Sequence, residues 1–338
     1  MPKRAANLRS FLGVLCFASF CQTTCYAADK HSYLNDHWSL LGDFVYMGRS
    51  DVSNHSLVKD SNKTRCHHGC PNHIVIDNED LVHNFNFVPG YRVGLTYTPD
   101  VKDSFEGNFL YLQPWHGEKH VTGEQSLSFP FSNSTYSQDF TGASEARARY
   151  DSHFWDLEFN YWRHCNPRRV DYFSLSGIAG MRYFHLDEKL KLSMTKPPDT
   201  STYNIHTHNR MLGIQLGFDF QMNPTHWLSW ELFAKAGFFA NHTEKSQFLG
   251  DLNNTVELRD SERQKRQVGW YTDVAAQVAF QCFRHLNLHA GYQFLFFTGL
   301  ATAPAQVNHG VKKDSGKKDQ THGNAIIQGL FVGLLWSF

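Results

Sequence analysis

Residues 329–338 read GLFVGLLWSF. Leu330, Val332, Leu334, Trp336 and Phe338 recur at every second position, with Gly329, Phe331, Gly333, Leu335 and Ser337 between them. Side chains two residues apart share one face of an extended chain. The segment is therefore a strand with one unbroken apolar face, and that face ends on an aromatic. Working outward, the same period returns. Residues 286–296 (LNLHAGYQFLF) set Leu286, Leu288, Tyr292, Phe294 and Phe296 against Asn287, His289 and Gln293. Residues 268–280 set Val268, Trp270, Val274, Val278 and Phe280 against Asp273 and Gln277. Residues 228–238 set Leu228, Trp230, Leu232 and Ala234 against Ser229, Glu231 and Lys235. Residues 212–221 alternate Leu212, Ile214, Leu216, Phe218 and Phe220 with Gln215, Asp219 and Gln221, and residues 153–162 alternate Trp155, Leu157, Phe159 and Tyr161 with Asp156, Glu158 and Asn160.

Segments of about ten residues that alternate apolar and polar side chains are the signature of a transmembrane β-barrel. The links between them alternate in length. Short ones fall at 99–104, 165–171, 223–226 and 283–285; long ones fall at 48–84, 116–150, 187–205, 241–266 and 300–324. Tight turns on one side of a membrane and long loops on the other are the barrel arrangement. With further strands at 38–47, 85–97, 105–115 and 172–186, the count is about ten, all antiparallel, with both ends on one side. The expected fold is all-β: a closed antiparallel transmembrane β-barrel over residues 28–338. A terminal aromatic such as Phe338 also resembles the C-terminal signal of bacterial outer-membrane barrels.

Composition agrees with this class. The 338 residues include 28 Phe, 14 Tyr and 8 Trp, far too aromatic for a disordered chain. Lys and Arg number 32 against 32 Asp and Glu, so a basic nucleic-acid binder is excluded. Beyond the N-terminus no apolar run approaches the roughly 18–20 residues of a spanning helix. Residues 1–27 carry Lys3, Arg4 and Arg9, then an apolar stretch (SFLGVLCFASFC), then small residues at Cys25 and Ala27. This reads as a signal peptide cut after Ala27. Its removal leaves a net charge of −3 and four cysteines, Cys66, Cys70, Cys165 and Cys282.

The segments IAGMRYFHLDEKL and LNLHAGYQFLFFTGLATAPAQV carry a second resemblance. One has a Gly-x-Arg-Tyr strand running into Leu-Asp-Glu (Gly180, Arg182, Tyr183, Leu186, Asp187, Glu188). The other has a Gly-Tyr-Gln strand followed by Ala-Pro-x-Gln (Gly291, Tyr292, Gln293, Ala303, Pro304, Gln306). Over roughly residues 150–338 the chain resembles a porin-like β-barrel outer-membrane protein family known mainly from planctomycetes and their relatives. The resemblance implies an outer-membrane barrel and names no substrate.

Parity assigns Asp43, Arg92, Glu106, Asp156, Glu158, Arg182, Asp219, Glu231, Lys235 and Asp273 to the lumen. Two readings follow from these seven acids and three bases. Charges in a narrow interior need partners, which points to an ion-paired core that fills the barrel. An acidic lining also favours cations, which points to a narrow conduit. A barrel near ten strands is only slightly wider than the eight-stranded kind that side chains fill. The expected role is porin-like passage of small solutes or ions; the alternative is a plugged structural or surface-interaction barrel without transport, and a more remote one is an outer-membrane protease.

Other constellations are weaker. Cys66-His67-His68-Gly69-Cys70, followed by His73, offers zinc or copper donors, but an exported chain meets an oxidising environment that favours a Cys66–Cys70 disulfide. No metal and no cofactor are expected. Asp151-Ser152-His153 suggests a nucleophile relay, yet period two places Ser152 on the face opposite Asp151 and His153, so no enzyme is expected. Expected partners are outer-membrane lipid, lipopolysaccharide and the barrel-assembly machinery.

Overall fold

The structure is a computed structural model that describes residues 38–51, 56–60, 73–129, 139–165, 172–225, 227–251, 257–308 and 323–338. The proposed signal peptide and the Cys66–Cys70 pair lie outside the described residues. The strands are β1 (Trp38–Asp51), β2 (Ser56–Asp60), β3 (His73–Asp77), β4 (Val88–Asp100), β5 (Asp103–Leu112), β6 (Trp115–Ser128) and β7 (Thr141–His164). They continue with β8 (Phe173–Lys196), β9 (Asp199–Thr225), β10 (Leu228–Gly250), β11 (Glu257–Phe283), β12 (Leu286–Leu300) and β13 (Gly323–Ser337). One short helix, α1 (Asn78–His83), follows β3 and is closed by a capping box between Asp77 and Asp80.

Ten of these strands form a closed antiparallel ring in the order β1, β4, β5, β7, β8, β9, β10, β11, β12, β13, and β13 returns to β1. The seam is tied at its end: Trp38 N–H donates to Phe338 O (3.1 Å) and Phe338 N–H to Trp38 O (2.8 Å). Closure leaves the ring without an edge, so each backbone group finds a partner inside lipid. The β4–β5, β9–β10 and β11–β12 turns lie at the same end as this seam, which is the periplasmic end of the barrel topology.

The long links are shorter than the sequence predicts, because the strands are longer. β7 and β8 have 24 residues each, β9 and β11 have 27, and β10 has 23. A crossing strand needs roughly 9–11. The stretch 187–205 is a continuous β8–β9 hairpin, 241–266 is mostly β10 and β11, and 116–150 holds β6 and the first part of β7. Strand pairing therefore carries the wall well beyond the membrane.

The reason lies in a change of phase. Within the lipid belt the outward side chains are apolar, including Phe44, Val93, Phe159, Met181, Leu216 and Leu330, and all are exposed. Trp38, Tyr97, Phe105, Tyr161, Trp230 and Trp336 ring the lower rim, as expected for an interfacial girdle. Above the belt, period two persists but the polar residues face out. On β8, Asp187, Lys189 and Lys191 point outward while Leu186, Leu190 and Leu192 are buried inside. On β7, Arg147, Arg149 and Asp151 point outward while Ala146, Ala148 and Tyr150 are buried. A wall standing in water needs this inverse pattern, since its only dry face is the interior. β2, β3, β6 and α1 lean on the same upper region, where Trp115 is fully buried and its Nε1–H donates to Met47 O (3.1 Å).

Candidate functional site

All ten sequence-assigned lumen residues point into the barrel interior, on the faces opposite the exposed belt. Most of them pack against partners. Asp43, Asp156, Glu158, Arg182, Asp219, Lys235 and Asp273 are buried, while Arg92, Glu106 and Glu231 are half-buried.

Arg182 on β8 is the hub. Its Nη2 donates to Asp156 Oδ2 (2.8 Å) and its Nη1 to Asp273 Oδ2 (2.6 Å), with Nε 3.6 Å from Glu158 Oε2. The planar guanidinium can meet carboxylates on several sides at once, which an ammonium cannot. Lys235 Nζ donates to Glu158 Oε1 (2.6 Å) and lies 3.6 Å from Asp273 Oδ2. Glu158 Oε1 also accepts from Asn160 Nδ2 and Gln215 Nε2, and the Tyr271 hydroxyl donates to Gln215 Oε1 (2.6 Å).

A second group sits beside the seam. Arg92 Nε donates to Asp43 Oδ2 (2.6 Å), and His289 Nε2 lies 2.7 Å from Asp43 Oδ1. Gln293 accepts from Arg92 Nη1 and donates to Asp273 Oδ1 (2.8 Å), which links the two groups. Gly333 faces Asp43 across the β1–β13 pair. A Cβ there would lie 2.0 Å from Asp43 Oδ1, so this inward position has room only for glycine.

The unmatched acids lie towards the turn end. Glu106 accepts from Asn160 Nδ2 (2.9 Å), and Glu231 accepts from Gln277. Asp219 is not drawn into the Arg182 network, and its Oδ1 has no hydrogen-bond partner among the described residues. Asn160, Gln215, His289 and Gln293 share the parity of the named charges, and that parity is the signal that finds them.

An aromatic layer, which the sequence reading missed, lies above this network. Phe154, Phe184, Tyr271 and Phe297 are buried together, with Phe184 4.7 Å from Tyr271 and 5.0 Å from Phe297 between ring centroids. Arg182 Cζ stands 4.8 Å from the Phe184 ring centroid, so charge and ring stack directly. The missed signal was the apolar residue at inward parity: Phe184 follows Arg182 by two. Higher still, the buried Arg49 side chain donates to Glu188 and Ser152, and to the Tyr150 hydroxyl at 3.1 Å.

The segment after β12 packs inside the wall above this layer. Leu300 to Val307 are all buried, with a 3-10 turn at Pro304–Gln306. Asn209 brackets Ala301: its Nδ2 donates to Ala301 O (3.0 Å), and its Oδ1 accepts from Ala301 N–H (2.9 Å). Ala303 N–H donates to Glu188 Oε2 (2.6 Å), and Gln247 Nε2 donates to Gln306 O (2.7 Å). The Leu-Asp-Glu and Ala-Pro-x-Gln motifs, separate in sequence, thus meet at the Glu188–Ala303 bond.

The Asp151-Ser152-His153 stretch forms no relay. Asp151 faces out and pairs with His116 (2.5 Å) and Arg149, Ser152 faces in towards Arg49, and His153 packs outside against Tyr111. Cys165 follows β7 and Cys282 lies near the end of β11, and the two are not bonded to each other.

No protein-family model matches the chain, and no curated protein does. Among solved structures, the outer membrane protease OmpT from Escherichia coli is similar, with a TM-score of 0.55 and 9% identity, covering 92% of this chain and 100% of that one. The translocator domain of the autotransporter NalP from Neisseria meningitidis aligns with a TM-score of 0.37 and 9% identity over 98% of this chain and 97% of that one. The attachment invasion locus protein Ail of Yersinia pestis aligns at 0.26 and 7% identity over 89% and 99%. At 9% identity the OmpT likeness shows the fold, a β-barrel of outer-membrane type, and nothing of activity.

Proposed function

We propose that the chain resides in a bacterial outer membrane as a sealed barrel, and that it works as a structural or surface-interaction scaffold through the wall it raises above the lipid. One observation carries this reading. Three successive layers of the interior, the Arg182 network, the Phe154–Phe184–Tyr271–Phe297 layer and the inner segment 300–307, are each buried by their own neighbours. Residues lining a water-filled channel would be wet. The polar half of the lumen is then an ion-paired filling, with its excess of acid towards the turn end.

Porin-like passage of small solutes or ions, favoured by the acidic composition and by the planctomycete resemblance, is the competing reading. The scaffold reading involves no catalytic step. Outer-leaflet lipid and lipopolysaccharide are the surfaces the belt and the charged wall would meet. Planar-bilayer recording on refolded protein separates the two readings: silence at both polarities is expected, and discrete conductance steps would establish passage instead.

A further inference from the structure

Histidines gather at one level of the outer wall, directly above the lipid belt. His153 on β7, His185 on β8, and His206 and His208 on β9 all point outward; His153 and His185 stand next above the outward Trp155 and Tyr183, and Arg210 lies between His208 and the outward Leu212. Asp187 lies among them, paired in register with His153 on one side and with His208 on the other. Its Oδ1 is 2.6 Å from His206 Nε2, and its Oδ2 is 3.5 Å from His208 Nδ1. The rings of His206 and His208 are 3.9 Å apart between centroids. One ligand atom each from His185, Asp187 and His208 fall within 4.8 Å of one another.

We propose that His185, Asp187 and His208 bind a divalent transition metal ion of the zinc class on the outer wall, with His206 holding the Asp187 carboxylate in place. Two imidazoles and a carboxylate suit a borderline ion such as zinc or copper better than calcium or magnesium, which prefer oxygen. Ligand bonds of about 2.0–2.2 Å set neighbouring donor atoms roughly 3.3–3.6 Å apart in a tetrahedron. The Asp187–His208 separation already meets this. All three side chains are half-buried and stand on paired strands, so small rotations close the remaining gaps. The i, i+2 spacing of His185 with Asp187 and of His206 with His208 keeps each pair on one face.

A hydrogen bond from a second residue to a ligating carboxylate is the usual outer support of a metal site, and His206 supplies it. The nearby cations are Arg210 opposite His185 and Lys189 opposite His206. Arg210 is engaged by Glu244, and Glu244 in turn stands opposite His208. The fourth coordination position opens outward, to water or to an external donor.

The test uses the refolded full chain in detergent, stripped with chelator, with folding verified by the mobility shift between boiled and unboiled samples. Zinc chloride alone is titrated calorimetrically. The wild type and a His242→Ala control should bind one equivalent at this site. His185→Ala, Asp187→Asn and His208→Ala should each lower the affinity at least tenfold while keeping the folded mobility. A His67→Ala, His68→Ala double variant should retain the site. Cobalt(II) loaded into the wild type should show the strong visible absorption of tetrahedral coordination, which keeps the proposal testable should a variant fail to fold. Absence of binding by folded wild type, binding unchanged in the three variants, loss that follows His67 and His68, or a weak octahedral cobalt spectrum would each overturn it.

Discussion

At the scale of single residues, Arg182 is the position on which the lumen depends. It neutralises Asp156 and Asp273 by direct bonds in a buried setting. Arg182→Ala leaves these carboxylates without their cation, and Lys235 reaches only Glu158 closely. Losing one partner of a buried ion pair costs about 3–5 kcal/mol, so urea unfolding followed by tryptophan fluorescence should show a loss in that range. Arg182→Lys keeps the charge but cannot bridge the two carboxylates, and should fall between.

Parity also separates the two faces. Leu216 is 53% exposed to lipid, and Leu216→Arg should cost about 2–4 kcal/mol near mid-membrane. Gln277→Arg faces Glu231 inside and should cost clearly less. Parity by itself would rank Gln215 with Gln277 as tolerant, but Gln215 is 3% exposed and bonded to Glu158, Asn160 and Tyr271. Gln215→Arg should therefore be as damaging as Leu216→Arg. Equal losses for Leu216→Arg and Gln277→Arg in the same unfolding assay would overturn the face assignment.

At the scale of elements, β13 closes the ring. It pairs with β1 and β12 at once, and its end holds Trp336 and Phe338 with ring centroids 5.1 Å apart at the lower rim. Deleting residues 336–338 removes the Trp38–Phe338 bonds and the Ser337–His285 bond (2.9 Å), and so reopens the seam. Unpaired strand edges are not tolerated in hydrocarbon. The truncated chain should lose the heat-modifiable folded band and vanish from outer-membrane fractions; normal levels there would count against a sealing role for this end. The long strands teach a different lesson. HLDEKLKLSMTK (185–196) alternates at period two, with Leu186, Leu190, Leu192 and Met194 on one face and Glu188 interrupting it. It reads as a loop only if outward-facing residues are required to be apolar. Above the lipid that requirement is reversed.

At the scale of the whole molecule, one cylinder carries two zones: a polar interior inside lipid and, above it, a mixed interior in which aromatic and aliphatic side chains pack beside the Arg49–Glu188 pair and the Asn209 and Gln247 bonds. The inner segment 300–307 joins the second zone to the mouth. Asn209→Ala removes both bonds to Ala301 and leaves a buried N–H and C=O unpaired, at about 1–3 kcal/mol for each orphaned group. The segment should then open far more often. Limited proteolysis read by mass spectrometry should show cleavage within 300–308 in the variant and resistance in the wild type; equal resistance would mean that the plug is held chiefly by other contacts.

The sequence by itself determined the fold class, a count of about ten strands, the inward parity of the ten named charges and the end at which the tight turns lie. All of these follow from a period of two, a local property of an extended backbone. It did not determine which interior groups meet. The bonds that fill the interior join Arg182 to Asp273, Asn209 to Ala301 and Glu188 to Ala303, pairs about ninety or more residues apart. Which residues meet across a closed cylinder depends on the stagger of all ten strands, and no local pattern records that. For the same reason His185, Asp187 and His208 became neighbours only once the register of β8 against β9 was set.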